Sequence, residues 1–242
     1  MASPTSTTHQ SAFRPRGLDT TRLDTFVDAA FAFGGTVLLI SSGDLPDSME
    51  AFRALLLDIP SFALSFATMM IFWLSHRHWS RLYGLESKAT IALTLLLVLT
   101  LLVYIYPLKV MYGALLDWLS GGALPNALRL RSPRDVTFVM GVYGVGFSLL
   151  SASMLGLYVA SLRAATTLRL NGAERAYTRI GVGLWAVLLA VGLASSACAL
   201  LLPLRYGIWA GMLYAFLGPG IPLAARYAGR GRPRADEAVA EA

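Results

Sequence analysis

A chain of 242 residues that is 56% hydrophobic and only 14% charged, with a mean hydropathy of +0.60, falls well outside soluble domains, which carry about 25% charge. This composition excludes a soluble globular protein and points to an integral membrane protein whose partner is the lipid bilayer. The net charge of +6 does not point to nucleic acid, because the basic residues flank apolar runs and form no separate basic domain.

In chain order, residues 1–21 are polar and rich in Ser, Thr and Pro, so no cleavable signal peptide is expected there and the stretch reads as a disordered tail. Apolar segments then fall near residues 24–42, 60–80, 89–107, 135–160, 180–202 and 205–228. Their length suits a hydrocarbon core roughly 30 Å thick, and the alternation of a membrane β-barrel is absent. The pattern therefore predicts an all-α membrane protein of six transmembrane helices, packed as a bundle that satisfies its own backbone hydrogen bonds. Residues 22–228 form the membrane domain, and residues 229–242 a second charged, disordered tail.

Between the first two spans, SSGDLPDSMEAFRALLLDIP breaks the first helix and supplies a short amphipathic helix at the membrane surface. The second span turns polar and aromatic after Trp73, as a helix end in the headgroup layer does. The third is Leu-rich on all sides and is expected to stop at Pro107. The loop over 108–134 follows, and its Asp117, Trp118, Gly121 and Gly122 read as an interfacial excursion.

Ser132, Pro133 and Asp135 form a capping box that starts the fourth helix. Gly141, Gly144, Gly146, Ser148 and Ala152 allow another helix close approach, and Asn171-Gly172 reads as the helix stop. The fifth span ends at Pro203, and the sixth carries Gly207 and Gly211 in a small-xxx-small pattern. Cys198, the single cysteine, sits in an apolar run and has no intrachain partner.

Counted on alternate sides of the spans, fourteen of the twenty Lys and Arg residues lie on the side of the termini. The positive-inside rule then puts both termini in the cytoplasm.

The first apolar helix, RLDTFVDAAFAFGGTVLLI over 22–40, is short for a span of about 20 residues unless Asp24 and Asp28 are drawn to the membrane edge. An acid in that position usually faces a bundle interior or water with a partner. Arg22 and the His76-Arg77-His78 cluster are the nearest candidates. Helical spacing puts Phe26, Ala30, Phe33, Val37 and Ile40 on one stripe and Asp28, Ala32, Gly35 and Leu39 on another. Gly34 and Gly35 permit close packing. Such a helix is best placed at the centre of an assembly.

Arg22-Leu23-Asp24-Thr25-Phe26-Val27-Asp28 followed by AAFAFGGTVLLI resembles the R-x-x-x-F-S-D signature of the transmembrane protein 175 family, the endosomal and lysosomal potassium channels, which has bacterial members. LSFATMMIFWLSHRHWSRL is similar to that family's second-helix segment. The resemblance covers the first two helices and the six-span layout.

It implies a potassium-permeable cation channel in a bacterial cytoplasmic membrane, a homotetramer with helix 1 of each subunit lining the central pore. Its permeant species are monovalent cations, potassium above all, and it needs no cofactor. It further implies that Phe33, Val37 and Ile40 form an apolar constriction, that Thr36 is the pore-adjacent polar residue, and that Arg22, Asp28 and His76 form a polar network holding helices 1 and 2 together. The chain departs from the family pattern where Val27 replaces Ser, Ser75 replaces Asn, Arg77 replaces the second His, Phe33 replaces Ile and Gly34-Gly35 replace Ala-Ile.

Two other functions fit the same residues. One is a secondary transporter in which Asp28 takes up a proton or cation, although the related halves common in that class are not evident here. The other is a non-conducting structural member of the same fold. No nucleophile elbow, phosphate-binding glycine loop or zinc-protease motif occurs, so an enzyme is not expected. His76 and His78 point about 200° apart on a helix with no Cys or inward carboxylate to complete a set, so no metal site is expected.

Overall fold

The computed structural model describes residues 13–41, 45–124 and 132–202. They fold as an all-α bundle of α1 (Arg22–Ile40), α2 (Met49–Tyr83), α3 (Lys88–Leu119), α4 (Pro133–Arg163) and α5 (Gly172–Leu201). All five are long and apolar enough to cross a membrane. This corrects the expected six-helix architecture, since five such helices are present among the described residues. The expected sixth span, 205–228, with its Gly207 and Gly211, lies outside them. That expectation counted apolar runs by length alone.

Local sequence sets each boundary. Thr21, Ser87, Ser132 and Asn171 are N-caps, and each is matched three residues on by Asp24, Thr90, Asp135 or Glu174 in a reciprocal capping box. α2 stops at Gly84, whose φ of 53° is left-handed, a conformation glycine adopts without a Cβ penalty.

Three boundaries differ from the expectation. α2 begins at Met49 and runs through Pro60, so the expected surface helix and the second span are one element. α3 continues through Pro107 to Leu119, because neighbouring helices tolerate the lost backbone bond in a packed bundle. α4 ends at Arg163, and Asn171, expected to stop it, instead caps α5 by accepting from the Glu174 amide at 2.8 Å.

The chain runs up and down, so the start of α1, the end of α2, the start of α3, the end of α4 and the start of α5 share one end of the bundle, called here the near end. The core lies among α2, α3, α4 and α5 around Tyr83, Leu97, Leu150, Met154 and Leu157, all fully buried.

The small residues of α4 work as the sequence implies, but on two helices. Gly141 meets Leu200, and Gly144 and Ser148 meet Ser196 and Gly192 of α5. Gly146 meets the Tyr104 ring of α3 instead. Among the described helices α1 packs on α2 and α3 only, through Val27, Phe31, Gly34 and Leu38. A Cβ on Gly34 would stand 3.3 Å from Met69 Sδ and 3.4 Å from Ile105 Cδ1, so the glycine lets α1 settle into the groove between them.

Candidate functional site

With 19 residues at 1.5 Å rise each, α1 is about 28 Å long, just enough for the hydrocarbon core. One face is buried on α2 and α3. The opposite arc, carrying Thr25, Ala29, Ala32, Phe33, Thr36 and Ile40, is exposed, so that Phe33 is 61% and Ile40 67% accessible. Phe26, Phe33 and Ile40 recur every seven residues and line up along one edge of this arc. Val37 is half-buried at the border between the arc and the packed face. Thr36 turns its hydroxyl inward to donate to the Ala32 carbonyl at 3.3 Å. Of the three residues expected at the constriction, Phe33 and Ile40 thus share the open arc with the pore-adjacent Thr36, and Val37 borders it.

The three residues expected to form one polar network each have a different environment. Asp28 accepts from the Trp73 indole Nε1 at 2.7 Å, and the Arg77 guanidinium lies over that same indole, 5.1 Å from the ring centroid. The imidazole of His76 is buried, with Nε2 3.1 Å from Thr94 Oγ1 of α3. Arg22 is exposed and forms no ion pair among the described residues.

The link between α1 and the end of α2 is made by Asp24. It caps α1 through Thr21 and accepts from Ser80 Oγ at 2.7 Å. Sequence reasoning missed this link although Thr21-x-x-Asp24 is a readable capping box. Trp73 was also missed as the partner of Asp28, because an indole is a single donor and carries no charge to flag it.

A cavity of about 20 Å³ lies beneath this cluster, lined by Gly17, Thr21, Asp24, His76, Ser80 and Glu86 among others, with room for about one water. Among the described residues no group of three or more His, Cys, Asp or Glu side chains is placed to hold a metal ion.

Comparison with known proteins places these helices in a family. The sequence model described as the endosomal/lysosomal potassium channel TMEM175 matches residues 22–107, from the start of α1 to Pro107 of α3. A potassium channel of Marivirga tractuosa is 31% identical over 210 residues, covering 84% of this chain and 85% of that protein. A crystal structure of a variant of the potassium channel MtTMEM175, in complex with a nanobody–MBP fusion protein, superposes with a TM-score of 0.78 at 28% identity, over 90% of this chain and 97% of that one. The match spans far more than the α1 signature, and this integral membrane protein belongs to the TMEM175 potassium channel family.

Proposed function

We propose that this protein conducts potassium passively, down its gradient, through a pathway lined by α1 at the centre of a homotetramer. The observation that carries the reading is the one-sided burial of α1. A short helix packed along one face on α2 and α3, with Ala29, Ala32, Thr36 and two large apolar side chains on its open arc, is built to be enclosed by other copies. Phe33 and Ile40 then supply the apolar constriction, with Val37 at its flank. An apolar ring of this kind gates by dewetting, in place of coordinating carbonyls. The excess of Lys and Arg at the near end over the far end supports a cytoplasmic near end, with the start of α1 on that side.

Purified protein in liposomes with an outward potassium gradient tests this. Flux should follow the gradient without proton coupling, and the detergent-solubilised protein should have the mass of four chains. Phe33→Ser and Ile40→Ser should each raise flux several-fold by lowering the dehydration barrier. Val103→Ser should not, since Val103 is as exposed as Ile40 at 67% but lies on α3 rather than on the open arc of α1. A monomer with pH-driven, saturable uptake, or equal flux in all three variants, would overturn the reading.

A further inference from the structure

Residues 13–20, ahead of α1, cross the near end of the bundle as an extended strap. The Arg16 amide donates to the Leu82 carbonyl at 3.3 Å and the Gly17 amide to that of Arg81 at 3.1 Å, so the strap satisfies carbonyls of the last turn of α2. The two backbones touch. A Cβ on Gly17 would collide with the Ser80 carbonyl, and one on Gly84 would stand 2.9 Å from the Gly17 nitrogen. Phe13 sets its ring edge-on to Tyr83 of α2 and to Tyr177 of α5, with centroids 5.5 Å away in each case.

At the centre of the strap the guanidinium of Arg16 uses all of its N–H donors. Nε donates to the Leu168 carbonyl at 2.8 Å. Nη1 donates to the Arg14 carbonyl at 2.8 Å and to Glu174 Oε1 at 3.1 Å. Nη2 donates to Glu174 Oε2 at 2.8 Å and to the Arg169 carbonyl at 3.4 Å. Glu174 is 1% exposed and also accepts from the Arg14 and Asn171 amides, each at 2.9 Å. Arg169 has a φ of 49°, in the left-handed region that non-glycine residues seldom adopt. The α4–α5 connection is thus bent so that its carbonyls face Arg16.

We infer that Arg16 and Glu174 form a latch that positions α1 for gating. α1 touches neither α4 nor α5. The strap, whose Arg16 lies six residues before Arg22, ties the head of α1 to the α4–α5 connection through this bidentate pair. Holding the latch fixes the angle and depth of α1, and releasing it shifts the balance of conducting and non-conducting states without altering the constriction itself. The inference rests on the reading that α1 lines the pathway.

Single-channel recording in planar bilayers tests it. Arg16→Gln and Glu174→Gln should each change open probability at least threefold, with unitary conductance and ion selectivity unchanged. The double variant should add nothing further, because both substitutions break one coupling. Arg16→Lys keeps the charge but offers three donors where five are used, and should give an intermediate shift. It serves as the decisive variant should the glutamine substitutions prevent assembly. In a Cys198→Ser background, spin labels at Thr20 and Thr167 should show a broadened distance distribution when Glu174→Gln is added.

Unchanged open probability in Arg16→Lys and in the assembled glutamine variants, with Ile40→Ser still raising flux, overturns the latch and leaves the pathway reading standing. A change in unitary conductance also overturns it, by putting the pair in the ion path. No effect of Ile40→Ser removes the pathway reading and the latch with it.

Discussion

Lys109 of α3 and Asp58 of α2 form an ion pair, Nζ to Oδ2 at 2.8 Å, with side chains only 5% and 14% exposed. The pair sits at the end of the bundle away from the strap, between Pro60 and Pro107, and joins two helices at the level where each loses a backbone hydrogen bond. Asp58 also accepts from the Ser61 hydroxyl, which fixes the carboxylate for its partner.

Removing one member of a buried ion pair costs about 3–5 kcal/mol, whereas replacing both by apolar or neutral groups is often near neutral. Lys109→Ala should therefore lower the thermal midpoint in detergent markedly, and Lys109→Met with Asp58→Asn should recover most of the loss. Equal destabilisation by the single and double changes would show that the pair contributes through packing alone.

The indole of Trp73 is the hydrogen-bond donor to Asp28. Trp73→Phe keeps an aromatic ring beneath Arg77 but removes that bond, and should cost about 1.5 kcal/mol, the lower end of the range for hydrogen bonds to charged groups because Asp28 is exposed. Asp28→Asn retains an acceptor oxygen and should cost less. Chemical unfolding of the two variants side by side checks the order, and a reversed order would assign Trp73 a packing role only.

Glycines of α5 should separate into two kinds. A Cβ on Gly192 would stand 2.5 Å from Ser148 Oγ and 3.2 Å from the Ser148 amide nitrogen, while one on Gly183 would meet nothing within 4 Å. Gly192→Ala should destabilise by about 1–3 kcal/mol through overpacking. Gly183→Ala should stabilise by up to about 1 kcal/mol through helix propensity. Thermal unfolding of the two variants decides this, and an equal effect of both would contradict the close approach of α4 and α5.

Thr21→Ala should cost about 1 kcal/mol by removing the N-cap of α1. Because Asp24 also holds Ser80, Asp24→Ala should cost more than Thr21→Ala. Hydrogen exchange at the first amides of α1 should rise in both variants and extend to Ser80 only in the second.

What could be read in advance follows from the range of the interactions. The five described helices and the Ser132 box depend on periodicity and on contacts three or four residues apart, which a sequence displays directly. Pro107 misled because its local preference for a helix stop is overridden by packing in the bundle. The environments of Asp28 and His76 were not legible, because their partners Trp73 and Thr94 lie on other helices and neither is charged. Arg16 was hidden by distance along the chain instead. Its partner Glu174 lies 158 residues away, and the polar composition of the first 21 residues gave no sign that part of them packs.

The groove that receives α1 has a history in the making of the chain. Gly34 rests against Met69 and Ile105, and Ile105 is synthesised 71 residues later, on the order of 4–14 seconds at ordinary translation speeds. During that interval α1 is the least apolar of the five spans, with a hydropathy of 1.6, and it waits in or beside the translocon without the surface it is shaped to fit. The side of the groove formed by Ile105 therefore exists only once α3 has been made. A substitution that fills Gly34 should therefore reveal itself first as misinserted nascent chain, before any question of conduction arises.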